Sequence, residues 1–284
     1  MKNISLSAIS LAAILCASGA QATSYSNSNA SFSNFHIELI DLDGSDNIAP
    51  TINFVFPDNH GAPWPPTNGS SVDANIRLER DGRPALWALP GKDNDAVASV
   101  AIAGAVLDQS SASATITAGT GLFAMQGASG TTQGAAVYSD RFSAGHSIYS
   151  ANAYLFNNVQ FTVSAHTQVV FSFDATSTAS ASENGRDSSG ATSGVWLSLD
   201  SDAGGERISA GQLTYVRSSE IKTETGSHTL SFYNRNAGDL GGTARMYAYI
   251  QGGVSAQPVP EPETYAMLLA GLGLLGCAAK RRRS

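Results

Sequence analysis

From Thr23 to Gln257 the chain repeatedly alternates apolar and polar residues with a period of two. Phe35, Ile37 and Leu39 open the series, followed by Ile52, Phe54 and Phe56, then Ile76 and Leu78. Val100 and Ile102 come next, then Phe161 and Val163, then Val169, Phe171 and Phe173, then Val195, Leu197 and Leu199. Leu213 and Tyr215, Leu230 and Phe232, and the cluster Met246, Tyr247, Tyr249 and Ile250 complete it. Side chains two apart on a strand share a face, so the pattern buries one side and wets the other. Turn pairs fall between the runs: Asp43-Gly44, Asn68-Gly69, Asp81-Gly82, Asn184-Gly185 and Gly204-Gly205. The alanine-rich stretch from Asp95 to Val106 is the nearest helical competitor. Its Gly104 and the Val100/Ile102 alternation favour a strand there too. The pattern predicts an all-β domain, an antiparallel β-sandwich, for which a jelly-roll-like winding is one arrangement.

Two stretches depart from the alternation. Residues Asp174 to Ser193 are poor in apolar side chains. Their first half reads as an exposed edge strand and Glu183 to Gly190 as a loop. Asn59 to Pro66 is a proline-rich excursion that a central strand does not tolerate, because proline removes ladder donors.

The ends are of another kind. Lys2 precedes an uncharged apolar run, Leu6 to Cys16, and Ala20-Gln21-Ala22 fits the A-x-A cleavage pattern. Residues 1–22 therefore read as a secretory signal peptide, with Thr23 as the first mature residue and a cut after Ala20 as second choice. Lipidation at Cys16 is disfavoured by the bulky Leu15 before it. At the other end, Pro260 and Pro262 hold the chain extended. Tyr265 to Ala279 is uncharged and predicts a short transmembrane helix, marginal in length for a bilayer core of about 30 Å. Lys280, Arg281, Arg282 and Arg283 follow, and the positive-inside rule keeps them cytoplasmic. The organisation is thus 1–22 signal, 23–257 extracytoplasmic sandwich, and 258–284 tail.

That tail resembles the PEP-CTERM sorting signal carried by substrates of exosortase in Gram-negative bacteria. The Pro-Glu-Pro motif falls on Pro260, Glu261 and Pro262, followed in order by a Leu/Gly-rich helix and an arginine-rich end. The resemblance implies recognition and removal of the tail by exosortase. It also implies transient anchoring in the inner membrane and delivery to the cell surface or the extracellular polysaccharide matrix. Related tails are catalogued at the ends of some ice-binding proteins, a link that concerns the tail alone. The segments Leu39 to Asp43, Ile48 to Phe54 and Phe161 to Phe171 are similar to domains found with such tails; this supports a β fold and implies no chemistry.

Composition narrows the function of the sandwich. The two cysteines, Cys16 and Cys277, both lie in the terminal signals, so residues 23–257 hold no disulfide, zinc-thiolate site or cysteine nucleophile. Those residues carry 21 acidic against 11 basic side chains, a balance that argues against nucleic acid as a partner.

Candidate chemistry is sparse. Gly271, Gly273 and Gly276 spell G-x-G-x-x-G inside the apolar tail, outside any βαβ unit, and suit close helix packing in lipid rather than a dinucleotide. Asp41, Asp43 and Asp46 form a candidate calcium loop. The EF-hand spacing fails, because glycine falls at position 4 and Ile52 at position 12. Acidic turns also form for conformational reasons alone. The five histidines, His36, His60, His146, His166 and His228, show no metal-ligand spacing, and no G-x-S-x-G marks a serine nucleophile. Trp64, in the proline-rich loop, and Trp196, out of phase with Val195, Leu197 and Leu199, are candidate carbohydrate contacts; Trp87 is the third tryptophan. The expectation is an exported, non-enzymatic surface or matrix protein without a cofactor. A carbohydrate- or surface-binding module is the alternative, and a secreted hydrolase with paired carboxylates is a further one.

Overall fold

The computed structural model describes residues 24–55, 71–80, 83–87, 97–103, 108–117, 126–138, 145–183, 188–204, 207–256 and 270–272. The signal peptide, Trp64, the Pro260-Glu261-Pro262 motif and the Lys280 to Arg283 cluster lie outside them. Of the helix expected over 265–279, residues 270–272 are described, and they are helical and exposed. Among the described residues no helix is long and apolar enough to cross a membrane.

The rest is all-β. The strands are β1 (Ser24–Asp41), β2 (Ile52–Val55), β3 (Ser71–Arg80), β4 (Arg83–Trp87), β5 (Val97–Ala103), β6 (Asp108–Thr117) and β7 (Ser129–Tyr138). They continue as β8 (Gly145–Val163), β9 (Thr167–Ser182), β10 (Ser188–Ser201), β11 (Ile208–Arg217), β12 (Glu220–Asn234) and β13 (Leu240–Ala256). One antiparallel sheet has the order β12-β9-β1-β7-β6-β5. The second has the order β11-β10-β13-β8-β3-β4, with β2 also on β8. Consecutive strands stay in one sheet through β2-β3-β4, through β5-β6-β7 and at β10-β11; the other connections change sheet. The Asp95 to Val106 stretch holds β5, a strand rather than a helix, in keeping with its alternation.

Between the sheets lies one large apolar cluster fed by both of them. At one end it is built from Phe32, Phe35, Phe156, Phe161, Phe171 and Phe173, each at most 2 % exposed. Burying a phenylalanine of this kind is worth roughly 1.5–3 kcal/mol. At the other end the facing residues are small. Ser26, Ser28, Ala112, Ala114, Ala136, Ser177, Ala179 and Ala181 point inward from the first sheet. Tyr149 of β8 reaches across to them.

Two breaks in phase make this possible. Up to Phe32 the even positions of β1 are buried, whereas Phe35 and Ile37 are buried beyond it. The register against β9 shifts between Ser33 and His36, where Asn34 adopts a left-handed φ of 54°. A bulge of this kind inserts a residue and exchanges the faces. Asn158 of β8, at φ 57°, follows the adjacent buried pair Leu155 and Phe156 in the same way.

Two expectations need correction. Leu213 and Tyr215 do not enter the core: each is 47 % exposed, while Thr214 and Val216 point inward. The inward pair meets the small-residue end of the sandwich, which leaves the larger side chains outside. Nor is Asp174 to Ser182 an edge. It is the second half of β9, between β1 and β12. Its apolar content is low because Ala175, Ser177, Ala179 and Ala181 fit a narrow part of the core. The following loop is also shorter than expected, since β10 begins at Ser188.

Candidate functional site

The outer face of the second sheet concentrates the aromatic side chains. On β10, Val195, Leu197 and Leu199 are buried, so strand geometry turns Trp196 to the other side, where it is half-buried, in line with its expected phase. Register then decides its neighbours. Trp196 stands opposite Gly211 of β11 and Tyr247 of β13. Tyr247 in turn faces Tyr154 of β8. One row of the sheet therefore reads Gly211, Trp196, Tyr247, Tyr154. The next row reads Leu213, Gly194, Tyr249, Asn152, Asp73.

Glycine opens the space for two of these rings. A Cβ on Gly211 would lie 2.9 Å from the Cε3 of Trp196, and one on Gly194 would lie 2.7 Å from the Cε1 of Tyr249. Each aromatic side chain leans over a neighbouring strand that has no side chain of its own at that point. The ring centroids of Tyr154 and Tyr247 are 5.5 Å apart, and those of Tyr247 and Tyr249 are 5.6 Å apart. These separations fall in the range of favourable aromatic contacts.

Charged groups border the rings. The Arg245 guanidinium sits 4.8 Å from the Tyr247 ring centre and 5.8 Å from that of Tyr154, a cation–π arrangement. Its Nε has no accessible surface and no acceptor. Asn152 donates to Asp73 Oδ1 at 2.8 Å. Burial nonetheless raises the Asp73 pKa above the usual carboxylate value. Burial also raises the Tyr154 hydroxyl, helped by the Asp73 charge, and the Tyr249 hydroxyl. Both phenols thus remain protonated donors at neutral pH.

Further along the same face the sheet sinks into an open trough of about 530 Å³ lined by His146, Ile148, Glu183, Gly190, Arg217 and Gly253. Arg217 donates through Nε to the Tyr215 hydroxyl, and its guanidinium carbon lies 5.5 Å from that ring centre. Glu183 accepts from the Ser189 N–H at 3.0 Å. Hydrogen bonds from the Ser218 hydroxyl and from Ser189 hold its carboxyl below the ordinary value.

Of the other tryptophans, Trp87 ends the edge strand β4 opposite Arg77, and Trp64 lies outside the described residues. The acidic turn is a chain of local bonds. Asp41 Oδ1 accepts from the Asp43 N–H at 2.8 Å, and Asp43 Oδ1 accepts from the Ser45 N–H at 3.1 Å and its hydroxyl at 2.6 Å. Asp46 Oδ1 accepts from the Ile48 N–H at 2.7 Å. The Ser45 hydroxyl chiefly lowers the Asp43 pKa. Ligand atoms of Asp43, Asp46 and His166 come within 4.8 Å of one another; Asp41 is outside that group. The turn's own donors thus take one oxygen of each of the three carboxylates, while Asp46 Oδ2 is buried without a partner; His166 is a poor partner for a hard cation such as calcium.

The sequence singled out Trp196 as a candidate contact but not Tyr154, Arg245, Arg217 or the joining of Tyr247 and Tyr249 to Trp196. The Tyr247-x-Tyr249 spacing signals a shared face. Only the register of β13 against β8 and β10 brings the others beside it.

No curated protein and no solved structure matches the chain. The family model of the PEP-CTERM protein-sorting motif matches residues 258–283, directly after β13. The chain therefore carries the sorting motif that its tail resembles, and this motif indicates exosortase-targeted sorting of a secreted protein.

Proposed function

We propose that this is a non-catalytic polysaccharide-binding protein of the cell surface or extracellular matrix, delivered by exosortase and held to glycan by the outer face of its second sheet. The observation that carries the reading is the row of Trp196, Tyr247 and Tyr154, with Tyr249 beside it, on a sheet face. Sugar rings present apolar C–H faces to such aromatics, while phenol and amide groups at the rim bond their hydroxyls. In this reading the tail is cut near Pro260, which stands four residues beyond the end of β13 at Ala256, so the central strand of the face is kept after processing.

The arrangement favours holding over hydrolysis. Glu183 is bonded at β10 and Asp73 stands on β3, with β13 and β8 between them. Three strand spacings separate them by roughly 14 Å. Paired glycosidase carboxylates work at about 5–9.5 Å.

Retention of the exported protein on a panel of immobilised neutral and acidic polysaccharides tests the reading. The wild type should be held by at least one polymer, and Trp196→Ala and Tyr247→Ala should each weaken that retention about tenfold, as loss of an aromatic anchor does. Melting curves matched to wild type establish that the variants fold. Passage of the wild type through every column, or equal retention of folded variants, would sink the proposal.

A further inference from the structure

Resting on that reading, we infer that the polymer held on this face is anionic, a uronate-bearing chain whose carboxylates meet Arg245 and Arg217. The argument begins with charge. Residues 23–257 carry almost twice as many acidic as basic side chains, so an anion finds few places to settle. On the same face, beside Arg245, Arg207 is matched by Asp200 at 2.8 Å, and on the other sheet Lys222 is matched by Glu224 at 2.6 Å. Arg245, Arg217 and Arg235 form no ion pair with a described carboxylate, and each lies on a tyrosine ring; of the three, Arg245 and Arg217 share the outer face of the second sheet. The nearby acids are engaged, Asp200 by Arg207, Asp73 by Asn152 and Glu183 by the Ser189 N–H.

Spacing supplies the second part. Arg245 pairs with Ser198 of β10, and Arg217 pairs with Gly190 of the same strand. Eight residues of strand put the two arginines roughly 26 Å apart. Between them lie Trp196, Tyr249 and Tyr215, and beyond these the trough floored by Gly190 and Gly253. A monosaccharide reaches one arginine; only a chain of several sugars reaches both. The planar guanidinium fork suits a carboxylate, and a ring beneath it holds its plane. Screening confines such attraction to about 8–10 Å, so these two cations act locally despite the acidic remainder of the domain.

The test compares each of three uronate polymers (polygalacturonate, alginate and hyaluronate) with its own carboxyl-reduced form, which keeps the backbone and removes the charge. Full-length protein extracted from membranes in mild detergent is titrated with each. The expected result is that at least one acidic polymer binds about tenfold or more tighter than its reduced form. Arg245→Gln and Arg217→Gln should erase that preference, whereas Trp196→Ala should weaken both forms alike. Arg217→Gln guards against a folding defect, because Arg217 is exposed. Equal binding of acidic and reduced forms, or binding confined to neutral polymers, overturns the inference and leaves the polysaccharide reading standing. Absence of binding to any glycan overturns both.

Discussion

The two ends of the sandwich core are closed by different chemistry. At one end phenylalanines fill the space. Phe161 meets Phe232 edge-on at 5.1 Å, Phe54 stacks on Phe156 at 5.2 Å, and Phe35 meets Phe156 at 5.5 Å. At the other end the facing side chains are too small to span the gap by themselves, and hydroxyl groups tie the sheets together. Ser26 Oγ donates to the Gly190 carbonyl at 2.7 Å, and the Ser177 and Thr214 hydroxyls share a 2.6 Å bond. The Tyr149 hydroxyl lies 3.0 Å from Ser26 Oγ and 2.7 Å from Ser28 Oγ. A domain without disulfides thus uses burial at one end and directional bonds at the other. Burial tolerates sliding, but a hydrogen bond between sheets fixes their relative position. The fixed end is the one carrying the Gly190 and Gly253 trough, so the hydroxyl layer lies directly behind part of the proposed glycan face.

The largest effect expected from this contrast is at Phe161. Phe161→Ala removes a side chain 1 % exposed that touches both Phe54 and Phe232. The loss should be about 3–5 kcal/mol, read as a lower urea midpoint with an unchanged slope. A loss below about 1 kcal/mol would mean that the phenylalanine end is not the main source of stability, and the contrast would fail.

The same contrast explains what was legible in the chain. Strands such as Val169 to Phe173 and Val195 to Leu199 announce themselves, because large apolar residues on alternate positions have only one use. The first half of β1, Ser24 to Ser31, is as central as any strand, yet the alternating apolar series begins only at Phe35. Its inward residues are serines and an alanine, residue types also common in loops, and their burial depends on partners far away in sequence. The bulge at Asn34 was equally hidden, since asparagine in a left-handed conformation is usual in turns as well. For the candidate face, the phase of Trp196 could be read from its own strand. Its neighbours could not, because Gly211, Tyr247 and Tyr154 come from three other strands and only pairing register relates them. The sorting tail was readable throughout because its parts are contiguous in sequence.

A middle-sized effect tests the hydroxyl end directly. Ser177→Ala leaves the buried Thr214 hydroxyl only the long bond to the Ser177 carbonyl at 3.4 Å, and Thr214→Val leaves the Ser177 hydroxyl only Gln212 Nε2 at 3.1 Å. Each single change should cost about 1–2 kcal/mol, because a short buried bond is lost and only a weaker partner remains. The double variant should cost clearly less than the sum, since Gln212 Nε2, which also reaches Ser177, keeps the Glu224 carbonyl at 2.8 Å. Urea titration of the four proteins gives the coupling. Strict additivity would mean that the two hydroxyls stabilise independently and do not act as a link between sheets.

The smallest effect at neutral pH, and the most specific, belongs to Tyr149. Tyr149→Phe keeps the ring and removes the bonds to Ser26 and Ser28, of which Ser26 retains the Gly190 carbonyl. About 1 kcal/mol should be lost. Burial pushes the Tyr149 hydroxyl up to about 12, against the two serine bonds that favour the ionised form. The folded state therefore holds this proton more tightly than the unfolded chain, where the phenol ionises near 10. The corresponding stability is fully present below pH 10 and is lost as pH rises through 12. Wild type should accordingly fall faster than Tyr149→Phe above pH 10, so that their stability gap narrows by on the order of 1 kcal/mol per pH unit. Urea midpoints measured from pH 8 to 11 follow the gap. A constant gap would place the Tyr149 hydroxyl in contact with water, and the hydroxyl end would then be an open seam in place of a closed layer.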